Sequence, residues 1–215
     1  ITLVNNDMKK LILLASSYFF YGFWDWRFLG LIWLSTTVDY NIGKLIYKTL
    51  NKDFKRYLLI ISIASNLIIL GFFKYYNFFI LSLNQIVENP NQFNTLEIIL
   101  PVGISFYTFQ SMAYSIDIYN GRIKPAEKFI DFANFIAFFP QLVAGPIEKA
   151  KNLLPQLKNF NGSNSNQLSR IIILLFLGYI KKVIFADNIG TIVDKNFIEY
   201  DIMNSFDIIF VLYLF

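Results

Sequence analysis

Apolar residues gather in long runs bounded by charges or turn residues: Met8–Trp26, Phe28–Tyr47, Tyr57–Phe73 with a continuation to Val87, Ile98–Tyr119, Phe129–Ile147 and Leu168–Ala186. A helix crosses a hydrocarbon core of roughly 30 Å in about 20 residues, so runs of this length predict membrane helices. A seventh run opens near Phe206. The expected fold class is all-α, a polytopic membrane protein of about six transmembrane or re-entrant helices. Residues 1–215 show no internal repeat and no separate soluble domain.

Charge places these runs. The first ends in Trp24, Asp25, Trp26 and Arg27, an interfacial belt in which amphipathic rings sit at headgroup level. It lacks the small-residue cleavage site of a secretory signal. Lys44, Lys48, Lys52, Lys55 and Arg56 crowd the stretch after the second run against Asp53 alone, which marks it as cytoplasmic. Lys9 and Lys10 then share that side. Trp24–Arg27 and the stretch Glu88–Glu97, which has no Lys or Arg, lie outside, and Arg122, Lys124 and Lys128 return inside. Lys149, Lys151, Lys158 and Arg170 belong inside too, so both ends of Phe129–Ile147 face the cytoplasm and that segment is re-entrant or surface-lying. Pro140, Gly145 and Pro146 agree, because broken backbone at membrane depth survives only where protein or water satisfies it. Pro101 and Gly103 interrupt the start of the preceding run in the same way. Asn159–Gln167, reading NFNGSNSNQ, is a polar loop, and its glycosylation-type triplet Asn161–Ser163 has no meaning on the cytoplasmic side.

Composition supports the membrane setting and narrows the chemistry. Hydrophobic residues fill 55% of 215 positions and charged residues 16%, against roughly 45–50% and about 25% in soluble domains. With neither Cys nor His there is no disulfide, no thiol nucleophile, no imidazole base, and neither thiolate nor imidazole for a metal site. A Ser or Thr nucleophile would lack a base, and no Gly-rich phosphate loop is present. The net charge of +4 resides in short loops between apolar runs, which bears on topology and argues against a nucleic-acid partner. No catalytic residue and no metal ligand is assigned.

Polar side chains inside the apolar runs are the remaining candidates, since at bilayer depth they need a partner or a cavity. Gln110 and Asp117, seven residues apart, share one helix face and suggest a lined cavity. Asp117 reads either as a snorkelling carboxylate beside Arg122 or as a group that orients a polar partner in a cytoplasm-facing cavity. Gln141 is placed to bond carbonyls freed by Pro140 and Pro146. Lys181 and Lys182 fall late in a helix leaving the cytoplasm, so either they snorkel to the far interface or one faces an internal funnel and binds phosphate or carboxylate. Asp39 and Lys74 read as helix–helix pairing groups.

The segments PVGISFYTFQSMAYSIDIY, FIAFFPQLVAGPI and LGYIKKVIFADNI, in this order and spacing, resemble the membrane-bound O-acyltransferase family, most nearly its alginate O-acetyltransferase branch. The earlier SYFFYGFWDWRFLGLIWLSTTVDYNIG is similar to the family's early helices. The resemblance implies a ring of helices around two funnels that meet at a thin partition in the cell membrane. It implies transfer of an acyl group from a cytoplasmic donor such as acetyl-CoA, a co-substrate and not a bound cofactor, to a hydroxyl, with delivery to an extracytoplasmic polysaccharide. An extracytoplasmic acetyltransferase or esterase-like protein is the implied partner. Gln110, Asp117, Gln141, Gly145 and Pro146, with Lys181 and Lys182, become candidates for the funnel wall that meets substrate. Lys149, Lys151 or Lys158 would draw the donor's phosphates to the cytoplasmic side. The family's general-base histidine is expected beyond Phe215 and a further helix before Ile1, which makes the chain an interior piece, inactive alone. Other acceptors in the family remain, namely teichoic acid for D-alanine and peptidoglycan for acetyl. Outside the family a transporter also uses broken helices and intramembrane charges, and an export scaffold without enzymatic activity is a further alternative.

Overall fold

The computed structural model describes residues 5–87, 93–142, 145–158, 160, 165–198 and 204–215, and every regular element among them is a helix. The triplet Asn161–Ser163 and the 88–92 part of the stretch read as an outside loop lie outside the described residues. Two units divide the chain, Ile1–Phe160 and Asn161–Phe215, and the division falls inside the polar run Asn159–Gln167.

In the first unit α1 (Asn6–Trp24) and α2 (Arg27–Lys48) are followed by α3 (Lys52–Leu70), which continues through a π-helical turn at Gly71–Tyr75 into α4 (Tyr76–Ile86). Asn51 starts α3 by accepting the amides of Asp53 and Phe54 at 2.9 and 3.1 Å, two of the donors that a helix N-terminus leaves unpaired. Lys52–Ile86 forms one helix of 35 residues, about 50 Å long at the α-helical rise. Among the described residues it alone has both the length and the hydropathy of a membrane span. The other expected spans fall short for visible reasons. Asp39, Asn41 and Lys44 lower the hydropathy of the continuous helix α2, α5 (Ile104–Tyr119) has 16 residues, and Phe129–Ile147 breaks into α6 (Phe129–Ile136) and α7 (Phe139–Leu142).

Helices α2, α3 and α5 pack together around polar side chains. Asp39 is fully buried, and its carboxylate accepts Ser62 Oγ at 2.7 Å and Asn66 Nδ2 at 2.8 Å, while Ser62 also meets Ser115 Oγ at 2.8 Å. The expected helix–helix pairing of Asp39 is thus made with neutral partners. Lys74, in the π-helical turn, likewise crosses to α5, donating to Ser105 Oγ at 3.2 Å. Aromatic packing fills the space between α5 and α6, where Tyr114 and Phe132 lie 4.3 Å apart between ring centroids and Tyr114 OH accepts the Ala126 amide at 3.0 Å. Small polar side chains share the interior with the apolar core, and large apolar ones also cover the outside. Ser17, Thr36, Ser62, Thr108, Ser111 and Ser115 are fully buried, whereas Phe19, Phe23, Trp26, Ile68, Phe78 and Phe79 are exposed. Such an apolar exterior is stable where the surroundings are themselves apolar.

The second unit comprises α9 (Ser165–Ile180), a π-helical turn at Lys181–Ala186, α10 (Asp187–Ile198) and α11 (Ser205–Leu214). Val193 and Val211 are buried where α10 and α11 meet, while Ile171–Leu177 on α9 is exposed throughout.

Candidate functional site

The break at Pro140–Pro146 sits where the chain meets the first turn of α5. Gly103, with φ of +71°, precedes that helix, and a Cβ there would collide with the Leu142 carbonyl oxygen. Glycine is the residue that adopts this φ without cost and lets two backbones touch. Seven residues further along, buried Gln110 donates from Nε2 to the Phe135 carbonyl at 2.9 Å. That carbonyl lies in the last turn of α6, where helical acceptors run out. Gln110 and Gly103 therefore clamp the α6–α7 segment along the length of α5. On the other side α1 packs on α7, with Phe20 and Phe139 rings 5.6 Å apart.

Gln141 lies in α7 and is buried, but its Nε2 reaches no carbonyl among the described residues. Gly145 has no positive φ; a Cβ on it would stand 2.8 Å from Gln141 Cα, so close approach is what requires glycine there. Pro146 follows and is exposed.

Asp117 has a different setting from Gln110 despite the shared face. At the end of α5 the Arg122 amide bonds the Asp117 carbonyl at 2.9 Å and the Gly121 amide bonds the Ile118 carbonyl at 3.0 Å, with Gly121 at φ +71°. This is the left-handed glycine termination in which two crossed amides satisfy the last carbonyls. It folds Arg122 back onto its own helix, where the guanidinium meets the Asp117 carboxylate at 3.2 Å. In the second unit Lys182 pairs with Asp187 at 2.6 Å, and Lys181 borders a concavity of about 610 Å³ with Phe185, Val193 and Asp194.

Charged groups converge at the end of the first unit where α5 finishes. Lys128 pairs with Asp7 at 3.0 Å, Lys158 with Glu127 at 2.8 Å, and Lys44 donates to the Glu127 carbonyl at 3.2 Å while lying 4.3 Å over the Tyr40 ring. The Lys158 hydrogen bond holds the Glu127 carboxyl below its usual range, and Asp7 raises the Lys128 ammonium above its own. Deeper in, Lys10 on α1 and Asp131 on α6 form an ion pair at 2.6 Å with side chains 4% and 5% exposed. Between the Ile123–Glu127 loop and α8 (Ala150–Lys158) lies a cavity of about 310 Å³, lined by Lys124, Lys151 and Lys158 among others. Lys149 is not part of that lining. Neither Lys10, Asp131 nor Lys124 stood out as a site residue in the sequence. An acid within FIDFANFI was the available signal for Asp131, while Lys10 and Lys124 read as topology charges.

No family model matches the chain, and no solved structure does. Curated proteins match nearly all of it. It is 35% identical to a "Peptidoglycan O-acetyltransferase" of Helicobacter pylori, over 90% of this chain and 41% of that protein. It is 36% identical to a "Probable alginate O-acetylase AlgI" of Azotobacter vinelandii, over 88% and 38%. The corresponding protein of Pseudomonas aeruginosa is 37% identical over 88% and 37%. The chain spans about two fifths of the length of these relatives.

Proposed function

Because this chain belongs to the membrane-bound O-acyltransferase family, in the alginate O-acetylase branch, we propose that the whole protein is a multi-pass enzyme of the cell membrane. It takes an acetyl group from a cytoplasmic thioester such as acetyl-CoA and delivers it to a hydroxyl of an extracytoplasmic polysaccharide. The observation that carries this reading is identity of 35–37% to two kinds of O-acetyltransferase, alginate and peptidoglycan, over 88–90% of the chain. Alginate and peptidoglycan, the acceptors those relatives are named for, are both glycans, so a sugar hydroxyl is the acceptor class, with peptidoglycan as the second candidate. The buried polar network and apolar exterior support placement in a bilayer.

In this reaction a base removes the acceptor hydroxyl's proton and the oxygen attacks the thioester carbonyl. The tetrahedral oxyanion then collapses, the C–S bond breaks, and an ester and a free thiol result. This chain contains no histidine, so an imidazole base must come from elsewhere in the protein. The residues described here serve as walls: the α6–α7 segment held against α5 keeps irregular backbone paired within protein, as a membrane interior demands.

The test is acetylation by the complete protein in a host whose own polysaccharide is unacetylated. Base-labile acetate on the purified glycan is expected, and none from residues 1–215 expressed alone; absence of acetate with the full-length protein, made and membrane-inserted, would overturn the assignment. Topology is checked separately in this Cys-free chain. A cysteine at Lys52 should react with an impermeant thiol reagent only after permeabilisation and one at Asn94 in intact cells, following the Lys and Arg asymmetry. The reverse pattern would invert the orientation.

A further inference from the structure

One buried acid in the first unit has no opposite charge. Asp39 is fully buried on α2, and among the described residues no cation pairs with it. Its neighbours are neutral: Ser62 Oγ lies at 2.7 Å from one carboxylate oxygen, Asn66 Nδ2 at 2.8 Å from the other, and Ser115 Oγ at 2.8 Å behind Ser62. Hydrogen bonds from neutral groups orient a carboxylate and offset part of its desolvation, but its net charge stays in the interior, which is costly without a counter-charge. Lys44, the nearest cation along α2, is committed to the Glu127 carbonyl and the Tyr40 ring.

Ser111 marks where a counter-charge fits. Its Oγ on α5 is fully buried and faces the Asp39 carboxylate, yet closes no hydrogen bond with it or with any other group among the described residues. A proton on the carboxyl would draw the two oxygens to about 2.5–3.0 Å and close that bond. Two oxygens that share a calcium-sized cation at about 2.3–2.6 Å, on neighbouring vertices of its shell, stand roughly 3.3–3.7 Å apart instead. Sodium is of that size. Its single charge also matches the single carboxylate, whereas a divalent ion would leave positive charge buried. One turn before Ser111, Tyr107 OH is likewise buried without a partner and faces the equally unpaired Tyr21 OH. These hydroxyls can hold the waters that complete an ion's oxygen shell.

We propose that the α2–α3–α5 core holds a sodium ion between the Asp39 carboxylate and Ser111 Oγ, with Ser62 and Asn66 fixing the carboxylate from behind. Carboxylate, hydroxyl and water oxygens form the donor set of a hard cation, without the nitrogen or sulfur ligands that select transition metals. The ion joins α2 to α5 and supplies the charge that no side chain gives Asp39, so its role is to stabilise the unit.

The complete protein is purified into nanodiscs in choline chloride, and sodium, lithium or potassium chloride is exchanged in at constant ionic strength. Thermal unfolding and retention of radiolabelled sodium are followed for wild type, Asp39→Asn, Ser111→Ala and Ser65→Ala. Ser65 bonds the Ser62 carbonyl at 2.9 Å and is the control, since it contributes no oxygen to the site. In wild type the unfolding midpoint should rise with sodium and keep rising with the logarithm of its concentration above Kd, as linkage to a specific site requires. Potassium, which is larger, should act more weakly, whereas screening is the same for all these salts. Asp39→Asn keeps the shape and hydrogen-bonding capacity of the side chain and should lose both the retained sodium and the response. Ser111→Ala removes one ligand oxygen and should raise the Kd for sodium about tenfold or more; Ser65→Ala should match wild type. A wild-type midpoint indifferent to the identity of the cation, or sodium retention that survives in Asp39→Asn, overturns the proposal. If Asp39→Asn fails to accumulate, Ser111→Ala decides alone, and an unchanged Kd overturns the site. A midpoint that follows pH but not sodium also overturns it and makes a proton the counter-charge of Asp39.

Discussion

Gly103→Ala is expected to deplete the protein from the membrane several-fold and to lower its unfolding temperature, because two separate penalties fall on one residue. The left-handed φ of +71° costs an L-residue about 1–2 kcal/mol. The added Cβ also strikes the Leu142 carbonyl oxygen, a backbone atom that no side-chain rotation can move aside. Relief requires shifting α7 off the start of α5, which pulls against the Gln110–Phe135 hydrogen bond and the α1–α7 packing. Gly121 isolates the two terms. It has the same φ, but a Cβ there meets open space, so Gly121→Ala should pay the conformational cost alone. Equal losses for the two variants, read as membrane abundance and thermal midpoint in detergent, would show that the Gly103–Leu142 contact contributes nothing. Gly145→Leu acts on the same break from its other side. There φ is ordinary and the obstacle is Gln141 Cα at 2.8 Å. Acetyl transfer by the complete enzyme should disappear, whereas leucine on a lipid-facing helix would be harmless by hydropathy.

Lys10→Met should be about as damaging, and Asp131→Leu in the same chain should largely reverse it. Removing one member of an ion pair whose side chains are 4% and 5% exposed leaves a buried charge uncompensated, at a cost of about 3–5 kcal/mol. Removing both replaces a desolvated pair by apolar contact, which is often neutral or stabilising. The pair joins α1 to α6, and Asn134 Nδ2 reinforces that junction by donating to the Lys10 carbonyl at 3.0 Å. Thermal unfolding of wild type, the two single variants and the double variant forms a complete cycle. A Lys10→Met protein as stable as wild type would mean that the pair is not desolvated. A double variant no better than the single ones would mean that the charges do more than neutralise each other.

Local pattern determined much of this protein. Apolar runs announced an all-helical chain, Pro140 and Gly145 announced the break, and the sign of charge along the loops grouped Lys44, Lys128 and Lys158, which the fold gathers at one end of the first unit. Helical periodicity also put Gln110 and Asp117 on one face of α5. What that face meets was not in the pattern. Gln110 lies under α6 and reaches Phe135, whereas Asp117 lies at the helix end and is answered by Arg122, folded back by the glycine turn. Likewise the sequence offered Lys149, Lys151 and Lys158 as equivalent cations. Tertiary structure gave Lys158 to Glu127, left Lys149 outside the cavity and put Lys151 in its lining with Lys124. The physical reason is range: periodicity and propensity act over one or two helical turns. The partner of a buried charge is instead chosen by which distant segments pack beside it, as Lys10 and Asp131 are matched only when α1 lies against α6.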